Sequence, residues 1–350
     1  MNSKINSLET LRGFAALFVA FYHYPSESFL YAKNGNLAVY FFFTLSGFVI
    51  ALNYFENIKS AKDLLRFQIK RFFRLYPVHI FVLLLILLIQ LLKLYIVSNY
   101  SLSAANPAFY PERNYNFQEF VKHIFLLQSV FNNGYYLSWN SVAWTISTEF
   151  YTYLIFAFLV LVLKNKKNYF ILISILYVFL FDFFSPYLNK FFHSTFLMCI
   201  QYFLTGSIFY FIFSFIKLKL KDIPFTLLLI LILLLKYETQ FIENNILFSA
   251  LILCVSLLNQ SSFIYKILNL NVLVYFGTIS YSFYMIHQVI LYVYIQILKL
   301  IFKVPFVYSD GITTNTGNNF YDTLIMISYI MLSVFVASLM YKNIELKFRK

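Results

Sequence analysis

An all-α, polytopic membrane helix bundle is the fold class that this sequence predicts, with about ten transmembrane helices and both termini cytoplasmic. Three observations carry the prediction. The 350 residues are 61% hydrophobic and only 12% charged, with mean hydropathy +0.73, which is too little charge for a soluble domain of that size. Apolar runs long enough to cross a hydrocarbon core of about 30 Å recur from end to end. The basic residues gather in clusters: Lys59, Lys62, Arg66, Lys70, Arg71 and Arg74; then Lys164, Lys166 and Lys167; then Lys217, Lys219 and Lys221; then Lys342, Lys347, Arg349 and Lys350. These clusters alternate with poorly basic loops, as the positive-inside rule requires. The net charge of +13 is therefore topology rather than a nucleic-acid footprint. A transmembrane barrel would show short alternating segments, and none are evident.

Run length and flanking charge place spans at about 9–30, 36–55, 76–98, 141–163, 169–187, 194–216, 223–237, 245–260, 272–300 and 322–341. This count puts every basic cluster on one side. The 223–237 run is short for a bilayer. Residues 98–140 hold Asn106-Pro107, Pro111 and an amphipathic run over 117–131, read as an outward loop followed by an interfacial or re-entrant helix. A second outward loop, 305–319, is rich in Gly, Thr and Asn. No linker, low-complexity tract or repeat divides the chain, so residues 1–350 are read as one transmembrane domain. The short basic lead into the first apolar run mimics a signal peptide. Arg12 opens that run and no small-x-small cleavage site follows, so the segment is expected to be retained. Cys199 and Cys254 fall in spans and are expected to pack as small hydrophobes. The 45 Phe and 30 Tyr fit lipid-facing surface and interfacial anchors.

Four segments carry chemistry. In the first span, Arg12 and His23 stand eleven residues apart, close to three helical turns, which puts both on one face about 16 Å apart. Arg12 has an ordinary role open to it, snorkelling or pairing with Glu9, and His23 has one as a packing histidine. Ionisable groups on a membrane helix are costly unless used, and a neutral imidazole suits a general base. In the fourth span, Thr145 and Glu149 share a face, with Glu149 about 12 Å below the Ser141 end and level with His23. Glu149 is either part of a site or a buried partner that fixes helix packing.

The third segment is Lys70-Arg71-Phe72-Phe73-Arg74-Leu75-Tyr76-Pro77. Arg66, Lys70 and Arg74 line one face with Arg71 beside Arg74, a membrane anchor that also offers bidentate donors to phosphate. Pro77 is expected to end or kink this stretch. The fourth is Ser280, Tyr284 and His287, one polar stripe in the ninth span, serving as interhelical glue or pocket lining. No metal site is indicated, since His79, His123 and His193 have no ligand spacing with acidic partners.

Taken in order, these segments resemble the acyltransferase 3 family of integral-membrane O-acyltransferases. The resemblance rests on Leu11-Arg12-Gly13-x9-His23, Phe42-Phe43-Thr44-Leu45-Ser46-Gly47-Phe48, Arg71-x-x-Arg74 with Pro77, Trp144-Thr145-Ile146-Ser147-Thr148-Glu149-Phe150, and Ser280-Tyr281-x-x-Tyr284-x-x-His287. It covers essentially the whole chain. Lys70 departs from the usual Arg-Arg-x-x-Arg, and Glu345 is followed by Leu346 and Lys347 where the family tends to show Glu-x-Pro.

The resemblance implies transfer of an acyl group, usually acetyl, from cytoplasmic acetyl-CoA or another acyl-CoA to a hydroxyl of a surface glycan or lipid-linked sugar. The setting it implies is a bacterial cytoplasmic (inner) membrane, with membrane lipid and no nucleic acid as surroundings. Arg71 and Arg74, with Lys70 and Arg12, would hold the nucleotide phosphates. His23 would be the general base and Glu149 would orient it or stabilise its imidazolium. Trp144, Ser147, Tyr284 and His287 would contact substrate, with Ser147 or His23 as carrier if an acyl-enzyme forms. A transporter, a flippase and a glycan polymerase are the competing many-helix classes.

Overall fold

The computed structural model describes residues 5–24, 35–100, 108–109, 115–132, 135–216, 220, 241–304, 308–309, 312–313, 316 and 318–348. Helix α1 is Asn6–His23, α2 Gly35–Tyr54 and α3 Ala61–Tyr100. A short amphipathic α4, Phe117–Ile124, leads to α5, Trp144–Val162. Helices α6 (Lys167–Phe179) and α7 (Phe181–Leu188) are bent by 73° against each other. Then come α8 (Ser194–Phe215), α9 (Phe241–Leu257), α10 (Phe263–Leu268), α11 (Asn271–Leu300) and α12 (Asn319–Met340). A π turn, Tyr341–Glu345, closes α12. Among the described residues the only strands are the antiparallel pair Tyr308–Ser309 and Ile312–Thr313. Side-chain caps set several boundaries: Asn116, Ser262 and Asn318 accept from the first free amides of α4, α10 and α12.

Six helices are long and apolar enough to cross a membrane, and the bent α6–α7 pair makes a seventh if it is one span. The sequence predicts about ten. Three segments account for the difference. The first span is α1, only 18 residues with Glu9 and Arg12 near its start. The 245–260 span is a shorter apolar helix, Asn245–Leu257. The 223–237 span lies outside the described residues, as does most of the loop at 305–319. Another correction concerns α3. It runs through Pro77 for 40 residues, about 60 Å, so the basic stretch and the third span are one rod, and Pro77 does not end it.

Contacts between segments distant in sequence fix which helix ends lie together. At one end the Phe55 carbonyl accepts from Asn165, Leu220 pairs with Leu257 and Asn259, and Thr10 Oγ1 donates to the Leu268 carbonyl at 2.6 Å. At the other end Tyr24 donates to the Asp322 carbonyl at 3.0 Å, Ser141 to Gln288, and the His193 amide to the Val130 carbonyl at 2.9 Å. Helices α1 and α11 therefore run parallel. The end where they begin carries Lys59, Lys62, Arg66, Lys164, Lys166, Lys167, Lys266, Lys342 and Lys347; it is the basic end.

Two glycine contacts organise the bundle, as expected where lipid gives helices no hydrophobic reason to associate. Gly13 of α1 abuts Phe276 and Gly277 of α11, and a Cβ on Gly277 would strike the Glu9 carbonyl. Gly47 of α2 and Gly206 of α8 lie against the Phe203 and Thr44 carbonyls in the same way. Helix α1 thus sits inside the bundle, where its polar residues meet protein rather than lipid. Leu8, Ala15, Ala16, Val19 and Ala20 are all buried.

Two predictions follow from this packing. Gly277→Ala forces α1 and α11 apart and lowers stability by about 1–3 kcal/mol, the usual cost of overpacking, read as thermal unfolding in detergent. The second concerns His123 in α4, which is fully buried with Nε2 3.1 Å from Ser138 Oγ. Burial first, and the neighbouring His79 second, hold its pKa well below the usual 6.5. Such a group takes its proton only on unfolding, so its stability contribution is complete above the unfolded value and is lost as pH falls below it. Unfolding temperature is expected to drop between about pH 7.5 and about pH 5.5, and less steeply in His123→Gln.

Candidate active site

A narrow cleft opens between α1, α2, α3, α5 and α11, with about 690 Å³ of empty space including its mouth. Three arginines line it: Arg12 of α1, and Arg71 and Arg74 of α3. Arg12 Nη1 is held by Glu9 Oε2 at 2.8 Å, the i, i+3 pair expected from the sequence. Arg71 is only 9% exposed. Its guanidinium lies 5.0, 5.8 and 5.9 Å from the ring centroids of Tyr54, Phe67 and Tyr153, so π faces provide the stabilisation that a carboxylate would otherwise give. Its Nη2 donates to the Tyr54 hydroxyl at 2.8 Å, while its Nε is buried with no hydrogen-bond partner among the described residues. Among the described residues Arg74 makes no hydrogen bond or ion pair, although Tyr153, Glu9, Glu345 and Glu149 act on it electrostatically. The cleft therefore holds guanidinium donors not committed to protein.

Glu149 enters the same cleft from α5. Its Oε1 accepts from Ser46 Oγ of α2 and from Tyr153 Oη one turn on. Thr145 and Glu149 share the cleft-facing stripe, as their spacing predicts, and Ser280, Tyr281 and Tyr284 supply the α11 wall. Tyr281 Oη donates to the Leu75 carbonyl at 2.5 Å, and Tyr284 Oη to the Val142 carbonyl at 3.2 Å. These bonds tie α11 to α3 and to the start of α5.

The histidines form a second centre towards the opposite end. His23 Nδ1 lies 3.1 Å from His287 Nε2, and His287 Nδ1 lies 2.6 Å from the Tyr284 carbonyl. His287 is completely buried, whereas His23 is partly exposed. Tyr284 links the two centres, since its side chain lines the cleft and its carbonyl holds His287.

The structure separates several residues that the sequence groups together. Glu149 is bonded to Ser46 and Tyr153, whereas the partner of His23 is His287. His287 is buried inside the bundle beside His23 and is not part of the cleft lining. Ser147 is fully buried, donates to the Leu126 carbonyl at 2.6 Å and accepts from the Ser129 amide. These bonds tie α5 to the segment that precedes it. Trp144 lies edge-on to Phe43 and Tyr136 outside the cleft lining. Lys70 is exposed on the outer face of α3, because one residue of helix is 100° of rotation and Arg71 and Arg74 already take the inward side. Sequence reasoning missed Ser46, Tyr153, Tyr54 and Glu345. The i, i+4 spacing of Glu149 and Tyr153 was a readable signal. Glu345 is buried by the π turn and accepts from Ser282 Oγ at 2.8 Å, which nothing in the local sequence announces. Among the described residues no group of three or more His, Cys, Asp or Glu is placed to hold a metal.

The model of the acyltransferase 3 family, an acyltransferase domain, matches residues 5–344. The chain belongs to this family. No curated protein and no solved structure matches it. The cleft and the histidine pair are thus features of a multi-pass integral-membrane acyltransferase. In this acyltransferase, Tyr153→Phe or Ser46→Ala strips a donor from a half-buried carboxylate. Each is expected to cost about 1–3 kcal/mol, measured by thermal unfolding, with Tyr202→Phe, which removes a hydroxyl that has no hydrogen-bond partner among the described residues, as the comparison.

Proposed function

We propose that this acyltransferase moves an acyl group, acetyl in the simplest case, from cytoplasmic acyl-CoA to a hydroxyl of a glycan or lipid-linked sugar at the outer side of a bacterial inner membrane. One observation carries the reading: the uncommitted donors of Arg71 and Arg74 line the cleft, while a partly exposed imidazole, His23, lies towards the end away from the basic loops. Guanidinium groups with free hydrogens suit the phosphates of a CoA nucleotide. Low-dielectric surroundings strengthen that attraction. The positive-inside distribution puts the basic end in the cytoplasm, where acyl-CoA is found.

The chemistry needs one base and no redox step. His23 takes the proton of the acceptor hydroxyl as its oxygen attacks the thioester carbonyl. The C–O bond forms, the C–S bond breaks, and the leaving thiolate takes the proton back from the imidazolium. Arg71 and Arg74 bind and orient the donor, which converts an encounter of two substrates into an oriented reaction. Glu149, fixed by Ser46 and Tyr153, shapes the field around Arg74 and is not a proton carrier in this scheme.

The test is transfer from labelled acetyl-CoA by purified protein in liposomes with a glycan acceptor supplied. His23→Ala is expected to lower turnover by about 10²–10⁴-fold, the usual worth of a general base. Arg74→Ala is expected to raise KM for acetyl-CoA by about 10–100-fold, from the loss of charge-assisted hydrogen bonds. Lys70→Ala should change it by less than about fivefold, since an exposed charge is worth up to about 1 kcal/mol. Equal rates in all four proteins, with no binding of acetyl-CoA, would reject the proposal.

A further inference from the structure

We infer that His287 is a positioning residue that holds His23 in the Nδ1–H tautomer, so that the basic lone pair of His23 stands on Nε2. The catalytic meaning of this rests on the proposed role of His23; the tautomer itself does not.

The assignment runs along a chain of three groups. A carbonyl oxygen only accepts, so the 2.6 Å contact from the Tyr284 carbonyl to His287 Nδ1 requires a proton on that nitrogen. A neutral imidazole has one proton, which leaves His287 Nε2 as an acceptor. The facing atom 3.1 Å away, His23 Nδ1, must then be the donor. His23 Nε2 is left with its lone pair, no partner among the described residues, and access to solvent. Protonating His287 instead would put a cation into a fully buried ring that no carboxylate bonds among the described residues, a costly arrangement.

The backbone fixes this chain in register. Gly13 and Gly277 mark the close contact of the parallel helices α1 and α11, and each helix presents its histidine ten residues later. Equal spacing from a common contact brings the two rings level. The usual orienting partner of a catalytic histidine is a carboxylate; here a neutral ring accepts the same hydrogen. When His23 takes a proton on Nε2, its Nδ1–H becomes a charge-assisted donor to His287 Nε2, which stabilises the imidazolium without a second buried charge.

The experiment is ¹⁵N NMR of histidine-labelled protein in detergent micelles at neutral pH, feasible because the chain has only 5 His, with His23 assigned through His23→Gln. The expected result is a His23 whose Nδ1 carries the proton in the wild type, and whose Nε2 carries it in His287→Leu. In acetyl transfer, His287→Leu should lower kcat by about 10²–10⁴-fold, the scale of losing a correctly disposed base, with KM for acetyl-CoA unchanged. His287→Gln should restore most of the rate, because its Oε1 accepts the Nδ1–H as the ring did. A wild-type His23 protonated on Nε2 overturns the inference, and so does retention of Nδ1–H in His287→Leu. If the tautomer switches while kcat is unaffected, the positioning role falls. If the tautomer behaves as expected but no protein transfers acetyl, the lock stands and the acyltransfer role of His23 falls. Should His287→Leu fail to fold, the wild-type spectrum and His287→Gln decide.

Discussion

The contact between Gly13 and Gly277 is the constraint on which the rest of the site depends. A β-carbon on either residue would meet backbone or ring atoms of the other helix, so the two backbones approach as closely as helices can. Every functional group on α1 and α11 is positioned from that point. One residue before it, Arg12 reaches the cleft; beyond it Ser280, Tyr281 and Tyr284 form the wall, and His23 and His287 meet. In water, apolar surface alone would press such helices together. In lipid it does not, and close approach of small residues with interhelical hydrogen bonds takes its place. The Thr10 bond to Leu268 and the Tyr24 bond to Asp322 clamp α1 at its two ends.

The second requirement is to keep ionised groups inside a bundle without cancelling them. A buried Arg–Glu pair would be the ordinary solution, and Arg12 with Glu9 uses it. Arg71 uses another, three aromatic rings and one phenol oxygen. Glu149 uses neutral hydroxyl donors from Ser46 and Tyr153. Both arrangements satisfy a charge without consuming an opposite one, so Arg71 and Arg74 keep hydrogens that no described residue accepts. The carboxylates around Arg74 act at a distance rather than as bonded partners, and this holds the guanidinium in the cleft while leaving its hydrogen-bonding positions open.

The fold class was legible because composition and run length reflect the solvent directly. The arginines were partly legible. Helical spacing put Arg71 beside Arg74, but it does not say which face turns inward, and Lys70 falls on the outer one. Depth was the weak guide. Glu149 and His23 were placed level by counting residues, yet depth leaves the azimuth around the bundle undetermined, and Glu149 faces α2 while His23 faces α11. Pro77 does not end its helix: the hydrogen bond that a mid-helix proline removes is lost within a 40-residue helix packed against α5 and α11. Glu345 was illegible for a different reason: a π turn adds a residue to the helical register, and no pattern in Tyr341–Glu345 declares it.

Arg12 and His23 sit on one rigid element, and this has a mechanical consequence. Along α1 the two are about 16 Å apart, and neither can shift relative to the other without breaking the helix. Had they come from loops, each would need its own support to hold catalytic geometry. On one helix, a single packing contact at Gly13 and a pair of end clamps hold both. Helix α11 repeats the arrangement, with Ser280 and Tyr284 at the cleft and His287 beyond. Two parallel rods joined at one glycine contact thus fix the separation between the charged cleft and the imidazole. Tyr284 belongs to both centres through its ring and its carbonyl, so displacing its backbone would alter the cleft wall and the histidine pair together. The separation between the charged cleft and the histidine pair is therefore a property of helix geometry rather than of flexible side chains.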